Sequence, residues 1–365
     1  MPRPFPVVAI RADASLLIGA GHVMRCLALA DGIARQGGQV HFLTRRHVAH
    51  LGDLIESKGH AVHWLDDAAP AVELEGYGKW LGVTQAQDAQ AAVQVLRQIR
   101  PDWLVVDHYA LGQAWQSPLR PWVGGILVID DLADRNHDCD VLLDQNYFRD
   151  PDSDRYRGRV PPHCVQLLGP RYALLRSEFQ RLREQNRVRD GSVRKILVAF
   201  GGMDLANHTG RFLTALPPRT DGCFMDVVIG GGNPQRALLQ SLCMARSDVQ
   251  LHVQSDRMAE LINAADLVVG ASGSSNWERF CLAAPAIAVA VAENQEPVLR
   301  DLEQDGLVLG VSRESPDQVG DCVNLVEYAL HQPAMLRGLS ERAAKLVDGK
   351  GVQRIIDQLG RSIAV

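Results

Sequence analysis

Short apolar runs recur along this chain with amphipathic or loop segments between them, and the whole rhythm occurs twice. In the first half the runs fall at 6–11, 39–44, 61–65, 102–107 and 125–130. Stretches such as 23–36 and 84–100 lie between them, with apolar residues at helical spacing. The pattern restarts at 194–200 and continues through 223–229, 248–253, 266–270, 285–291 and 307–310. Apolar strands alternating with helices predict α/β architecture with parallel sheets covered on both faces. Two such series in 365 residues predict two doubly wound, Rossmann-like domains facing each other across a cleft. The expected boundaries are 1–177 for an N-terminal domain and 178–192 for a charged, partly helical linker. A C-terminal domain is expected over 193–345, and a last helix over 346–365 that packs back on the first domain.

Composition removes several function classes. The net charge is -5 and no basic run stands out, so neither nucleic acid nor a membrane surface is an expected partner. No apolar stretch approaches the roughly 18 residues of a membrane span, and the first residues carry no secretory pattern. The 7 cysteines are widely spaced and none forms Cys-x-x-Cys, which fits free thiols in a reducing cytoplasm. The expectation is a cytoplasmic monomer acting on a small molecule, without a cofactor.

In open parallel sheets ligands bind beyond the carboxyl ends of the strands, so the informative residues are those just after each run. Gly19-Ala20-Gly21-His22 follows the first run and opens a helix. Bare glycines and free helix-start amides suit an anion, and His22 is a titratable group beside them. A helix-start histidine with no chemical task is the plainer alternative. Asp107-His108-Tyr109 and Ile129-Asp130-Asp131 end two further runs. Gly201-Gly202-Met203-Asp204 and Gly230-Gly231-Gly232 follow the first two runs of the second half. Ala271-Ser272-Gly273-Ser274-Ser275 leads into a helix that carries Glu278. Small residues there free backbone amides for a diphosphate, with serine hydroxyls as added donors. Glu278 reads either as an acid favoured by the helix dipole or as the acceptor for two ribose hydroxyls. Asp107-His108 and His137-Asp138-Cys139-Asp140 contain metal-ligand types but no recognised spacing, so no metal is expected. A Gly-x-Ser-x-Gly elbow is absent, which argues against a nucleophilic serine.

Taken together, Arg11-Ala12-Asp13, Ile18 to Ala30, Val106 to Tyr109, Ile129 to Ala133 and His137 to Asp140 form an ordered set. It continues through Leu143 to Asn146, Leu168 to Arg176 and Phe200-Gly201-Gly202 with Asp204. This set resembles the UDP-2,4-diacetamido-2,4,6-trideoxy-β-L-altropyranose hydrolases of pseudaminic acid biosynthesis, whose architecture is similar to that of GT-B glycosyltransferases. The resemblance implies a metal-independent, inverting UDP-sugar hydrolase serving flagellin or surface-glycan modification. It implies that His22 is the catalytic base and Asn294 an active-site residue, with Glu278 on the nucleotide side. Asp13, Gly19, Gly21, Asp107, Tyr109, Gly201, Gly202, Gly273, Ser274, Ser275 and Gln295 are then expected to line the substrate. Two other readings stay open: a glycosyltransferase using a UDP-sugar donor, and a non-catalytic sugar-nucleotide-binding protein.

Overall fold

The computed structural model describes residues 6–65, 73–150, 154–185, 187–219 and 222–363. The chain falls into two compact units, the first drawn from 1–146, 152–176 and 350–365 and the second from 147–151 and 177–349.

The first unit is built on strands β1 (Val7–Ala12), β2 (Gln39–Thr44), β3 (Ala61–Trp64), β4 (Trp103–Asp107), β5 (Gly125–Ile129), β6 (Val141–Asp144) and β7 (Val165–Leu168). They pair in parallel in the order β3-β2-β1-β4-β5-β6-β7. Alternate residues divide between two cores, as the pleat requires. Val8 and Ile10 pack with the helix Gly21–Arg35, whereas Ala9, Leu104 and Val106 pack with the helix Gln85–Ile99. That second helix starts on a full capping box, in which Thr84 and Gln87 each satisfy the other's backbone amide. The last helix, Gly351–Ile363, adds Val352, Ile355 and Leu359 to the first core, and Trp103 Nε1 donates to the Leu359 carbonyl at 3.2 Å.

The second unit contains β8 (Lys195–Ala199), β9 (Phe224–Ile229), β10 (Val249–Val253), β11 (Leu267–Ala271), β12 (Ala286–Val289) and β13 (Leu309–Val311). Their parallel order is β10-β9-β8-β11-β12-β13, the same doubly wound sequence seen in the first sheet. Each sheet therefore reverses direction of growth once, between β1 and β4 in the first and between β8 and β11 in the second. Those reversals open the crevices where this fold takes ligands.

Two differences from the sequence reading have physical causes. Strand β7 was not foreseen, because it is four residues long beside a segment rich in Asp, Arg and Pro. The charged stretch 178–192, expected as a helix and linker, opens in the helix Ser177–Glu184 and groups with the second unit. Arg183 donates to the carbonyls of Cys281 and Ala344, and Arg189 to those of Ala265 and Leu282. Its arginines thus satisfy carbonyls left open at helix ends. Among the described residues no helix is long and apolar enough to cross a membrane.

Candidate active site

The reversal point of the first sheet is where β1 and β4 end side by side, with Ala12 in register with Asp107. The chain leaves β1 through a turn in which Gly19 adopts φ 77, a left-handed conformation that favours glycine. It then enters the helix Gly21–Arg35, whose N-terminus has no side-chain cap. His22 is the second residue of that helix, so the imidazole is delivered to the end of β4. Arg25, one helical turn on, shares its face.

These side chains close on one carboxylate. Asp107 is wholly buried, and its Oδ1 lies 2.6 Å from His22 Nδ1. Arg25 clamps the same group with two bonds, Nε to Oδ2 at 2.7 Å and Nη2 to Oδ1 at 2.6 Å. Burial by itself would raise the Asp107 carboxyl, but the neighbouring Arg25 and His22 outweigh it and hold the group well below the usual carboxylate range. An ionised carboxylate only accepts, so the proton of this hydrogen bond belongs to His22 Nδ1. In a neutral ring that places the lone pair on Nε2. The arrangement is a base held in place by an acid, the orienting logic of nucleophile-activating dyads.

Tyr109 packs edge-on against the imidazole at 4.8 Å between ring centres. Burial pushes its phenol up, and the negative charge of Asp131 adds to the effect, so the hydroxyl keeps its proton. Asp131 also receives Arg25 Nη1 at 3.3 Å, tying the dyad to the end of β5. Further along the same sheet edge, Asp144 is pushed up to about 7, by burial first and by the charge of Asp131 second.

Asp13 and Asp107, both expected to touch substrate, have no exposed surface. Asp107 faces His22 and Arg25. Asp13 is a strut: Oδ1 takes Thr44 Oγ1 at 3.0 Å, the Arg45 amide at 2.9 Å and Arg11 at 2.7 Å. Its Oδ2 stands 3.6 Å from both His47 and His108. His108 itself is pushed down to about 3, chiefly by burial, and is neutral.

In the second unit the loops after β8 and β11 lie together, since Ala199 is in register with Gly270. Gly201 and Gly202 are exposed, and Gly230 approaches so closely that a Cβ on it would stand 2.8 Å from the Gly202 carbonyl oxygen. Ser274 is exposed, whereas the Ser275 hydroxyl is spent on its own helix, donating to the Ala271 carbonyl and accepting from Arg279. Gln295 folds back to accept from the Val291 amide at 2.9 Å, and its amide nitrogen reaches over Gly273. Asn294 beside it is exposed. Glu278 is half-buried in the short helix Ser275–Cys281. One cluster thus forms in each unit: His22, Asp107 and Tyr109 in the first, and the glycine loops with Ser274, Glu278, Asn294 and Gln295 in the second. Arg25 and Asp131 were missed. The three-residue spacing from His22 to Arg25 was a readable signal for the former. Among the described residues no group of three or more His, Cys, Asp or Glu side chains is placed to hold a metal.

Comparison with known proteins fits this construction. The UDP-2,4-diacetamido-2,4,6-trideoxy-beta-L-altropyranose hydrolase of Campylobacter jejuni is 24% identical over 300 residues, which are 82% of this chain and 97% of that protein. The chain is a relative of that hydrolase. The spore coat polysaccharide biosynthesis protein SpsG of Bacillus subtilis is 27% identical over 357 residues, 95% of this chain and 96% of its own. No protein-family model matches. Among solved structures, MurG of Acinetobacter baumannii superimposes with a TM-score of 0.63 at 16% identity, covering 98% of this chain and 100% of that one. The calicheamicin glycosyltransferase CalG4 gives 0.67 at 14% identity, with 99% of both chains covered. Likeness at that identity speaks for fold alone, and the fold is of the two-domain, Rossmann-like GT-B type.

Proposed function

We propose that this chain processes a UDP-sugar, and specifically that it hydrolyses a UDP-linked 2,4-diacetamido-2,4,6-trideoxyhexose at the anomeric carbon. The observation that carries the reading is the oriented dyad, His22 Nδ1 bonded to a buried, ionised Asp107 at 2.6 Å. The relationship to the Campylobacter hydrolase supplies the substrate class.

In this mechanism Nε2 of His22 takes a proton from water as the water oxygen attacks the anomeric carbon. The bond from that carbon to the diphosphate oxygen breaks, UDP departs with the electron pair, and the free sugar is released inverted. Asp107 steadies the imidazolium that forms. UDP is a good leaving group, so the site needs only to meet charge growing on the diphosphate. The amides of exposed Gly201 and Gly202 and of half-buried Gly273, with the hydroxyl of exposed Ser274, suit that task without a metal. Glu278 is assigned to the ribose hydroxyls, and Asn294 and Gln295 to the sugar side of the nucleotide. Asp13 and Asp107 are positioning groups here. The setting is a cytoplasmic monomer.

A glycosyltransferase is the second reading, because the structural relatives include glycosyltransferases and the same base could deprotonate an acceptor hydroxyl. Incubation with the UDP-sugar alone separates the two. Release of UDP and free sugar in equal amounts, with NMR reporting the inverted anomer first, supports hydrolysis. UDP release that waits for an added acceptor sinks it.

A further inference from the structure

Two aromatic rings, Tyr109 and Trp80, meet the imidazole of His22 and a third, Tyr77, packs against both of them, and the dyad mechanism uses none of the three. Tyr109 meets His22 at 83° and Trp80 meets it at 76°, so both present ring systems perpendicular to the imidazole. Trp80 stacks on Tyr109 with 5.5 Å between centroids and 28° between planes. Tyr77 leans edge-on against both, at 4.8 Å from Trp80 and 5.0 Å from Tyr109. Tyr109 is buried, but Tyr77 and Trp80 are only half-buried, so part of the aromatic cluster that adjoins His22 is open to solvent.

The segment that carries these rings is anchored. Trp80 lies in the single turn Gly78–Leu81, whose last residue is 1% exposed and belongs to the core beneath. Gly82 reverses the chain with φ 76, Val83 is buried in the same core, and Thr84 caps the helix that follows. Trp80 is therefore held at a fixed distance from His22. An aromatic face beside a base takes a particular chemistry. Its π surface carries negative potential, which attracts polarised C–H bonds, and it shelters methyl groups from water.

We infer that Trp80 and Tyr77 form a platform that selects the sugar, favouring a pyranose that turns C–H bonds and methyl groups, from a deoxy carbon or an acetamido group, toward the rings. This inference rests on the proposed UDP-sugar reading and extends it from a reaction to a substrate preference. The platform contacts the sugar and takes no part in proton transfer, so it acts on selectivity while His22 acts on rate.

The test compares two substrates in three proteins: UDP-2,4-diacetamido-2,4,6-trideoxy-β-L-altropyranose and UDP-glucose, with wild type, Trp80→Leu and Trp80→Phe. UDP release is followed, and melting temperature is recorded for each protein. The expected result is a loss in kcat/KM of about tenfold to a hundredfold for the diacetamido sugar in Trp80→Leu, carried by KM. UDP-glucose should change by less than about threefold, and Trp80→Phe should recover most of the loss. Tyr77→Leu should give the same pattern in weaker form. Equal losses for both sugars would make the cluster a structural cover for His22 and overturn the inference, as would no loss for either. If the wild-type protein binds a UDP-sugar yet releases UDP from neither, the hydrolase reading fails and the selectivity claim falls with it.

Discussion

Replacing Asp107 by Asn tests the centre of the site with almost no change of shape. The carboxylate receives three short bonds, two from Arg25 at 2.7 and 2.6 Å and one from His22 at 2.6 Å. An amide offers one oxygen and places an NH2 where one of those donors now points. Either Arg25 or His22 then faces a donor. The Arg25 side chain is only 8% exposed, so its charge loses its nearer partner, and keeps only Asp131 at 3.3 Å, in a place water scarcely reaches. Breaking a buried pair in this way costs about 3–5 kcal/mol. The loss should appear in the first unit's unfolding transition in urea at pH 7. It should shrink with acidification, for a clear reason of sign. The folded carboxyl is held below its usual 3.8, so its stabilisation is complete above that pH and disappears as pH falls toward the folded value. On the functional side the imidazole loses the acceptor that fixes its tautomer. Turnover should fall by roughly 10²–10⁴-fold with KM little changed. An Asn variant as stable as wild type at pH 7, with undiminished turnover, would refute both the ionised state of Asp107 and its hold on His22.

Other outcomes follow from the same geometry. His22→Ala should lower turnover by roughly 10²–10⁴-fold while calorimetry finds UDP binding intact. Glu278→Ala should raise KM and weaken UDP binding with a smaller effect on kcat, and unchanged UDP affinity would remove it from the ribose role. Asp144 behaves oppositely to Asp107. Its carboxyl, raised to about 7 by burial and by Asp131, favours the folded state fully below 3.8 and loses that contribution as pH rises through about 7. Asp144→Asn should therefore be more resistant to heat than wild type at pH 8.5, with the advantage shrinking or vanishing at pH 5.

Much of the architecture was legible because parallel strands buried on both faces leave long apolar runs in the sequence. All five runs named in the first half, and all six in the second, became strands. Strand β7 escaped because four residues between prolines give too little periodicity to read. The site was legible by type more than by role. His22, Asp107 and Tyr109 were singled out from their strand-end positions and do meet. A sequence cannot tell a carboxylate that faces ligand from one that faces an arginine behind it, which is how Asp13 and Asp107 came to be expected at the substrate. Tyr77 and Trp80 went unnoticed because the meeting of Trp80 with His22, and of Tyr77 with Trp80 and Tyr109, depends on a turn far along the chain. Ser275 shows the same limit at short range, since its hydroxyl had a closer partner in Arg279.

The path of the backbone also bears on how the molecule is made. Residues 350–365 return to the unit begun by residues 1–146, and Val352, Ile355 and Leu359 fill the core beside Val8 and Ile10. During translation the amino-terminal sheet is complete at Leu168 but waits, with one oily flank uncovered, until synthesis reaches the last helix at Gly351. The second unit, continuous from Ser177 to Gly349 apart from a five-residue strap, can mature during that delay. A ribosome that stalls before the final helix leaves a product whose trailing lobe is intact and whose leading lobe, the one holding the imidazole, is missing part of its interior.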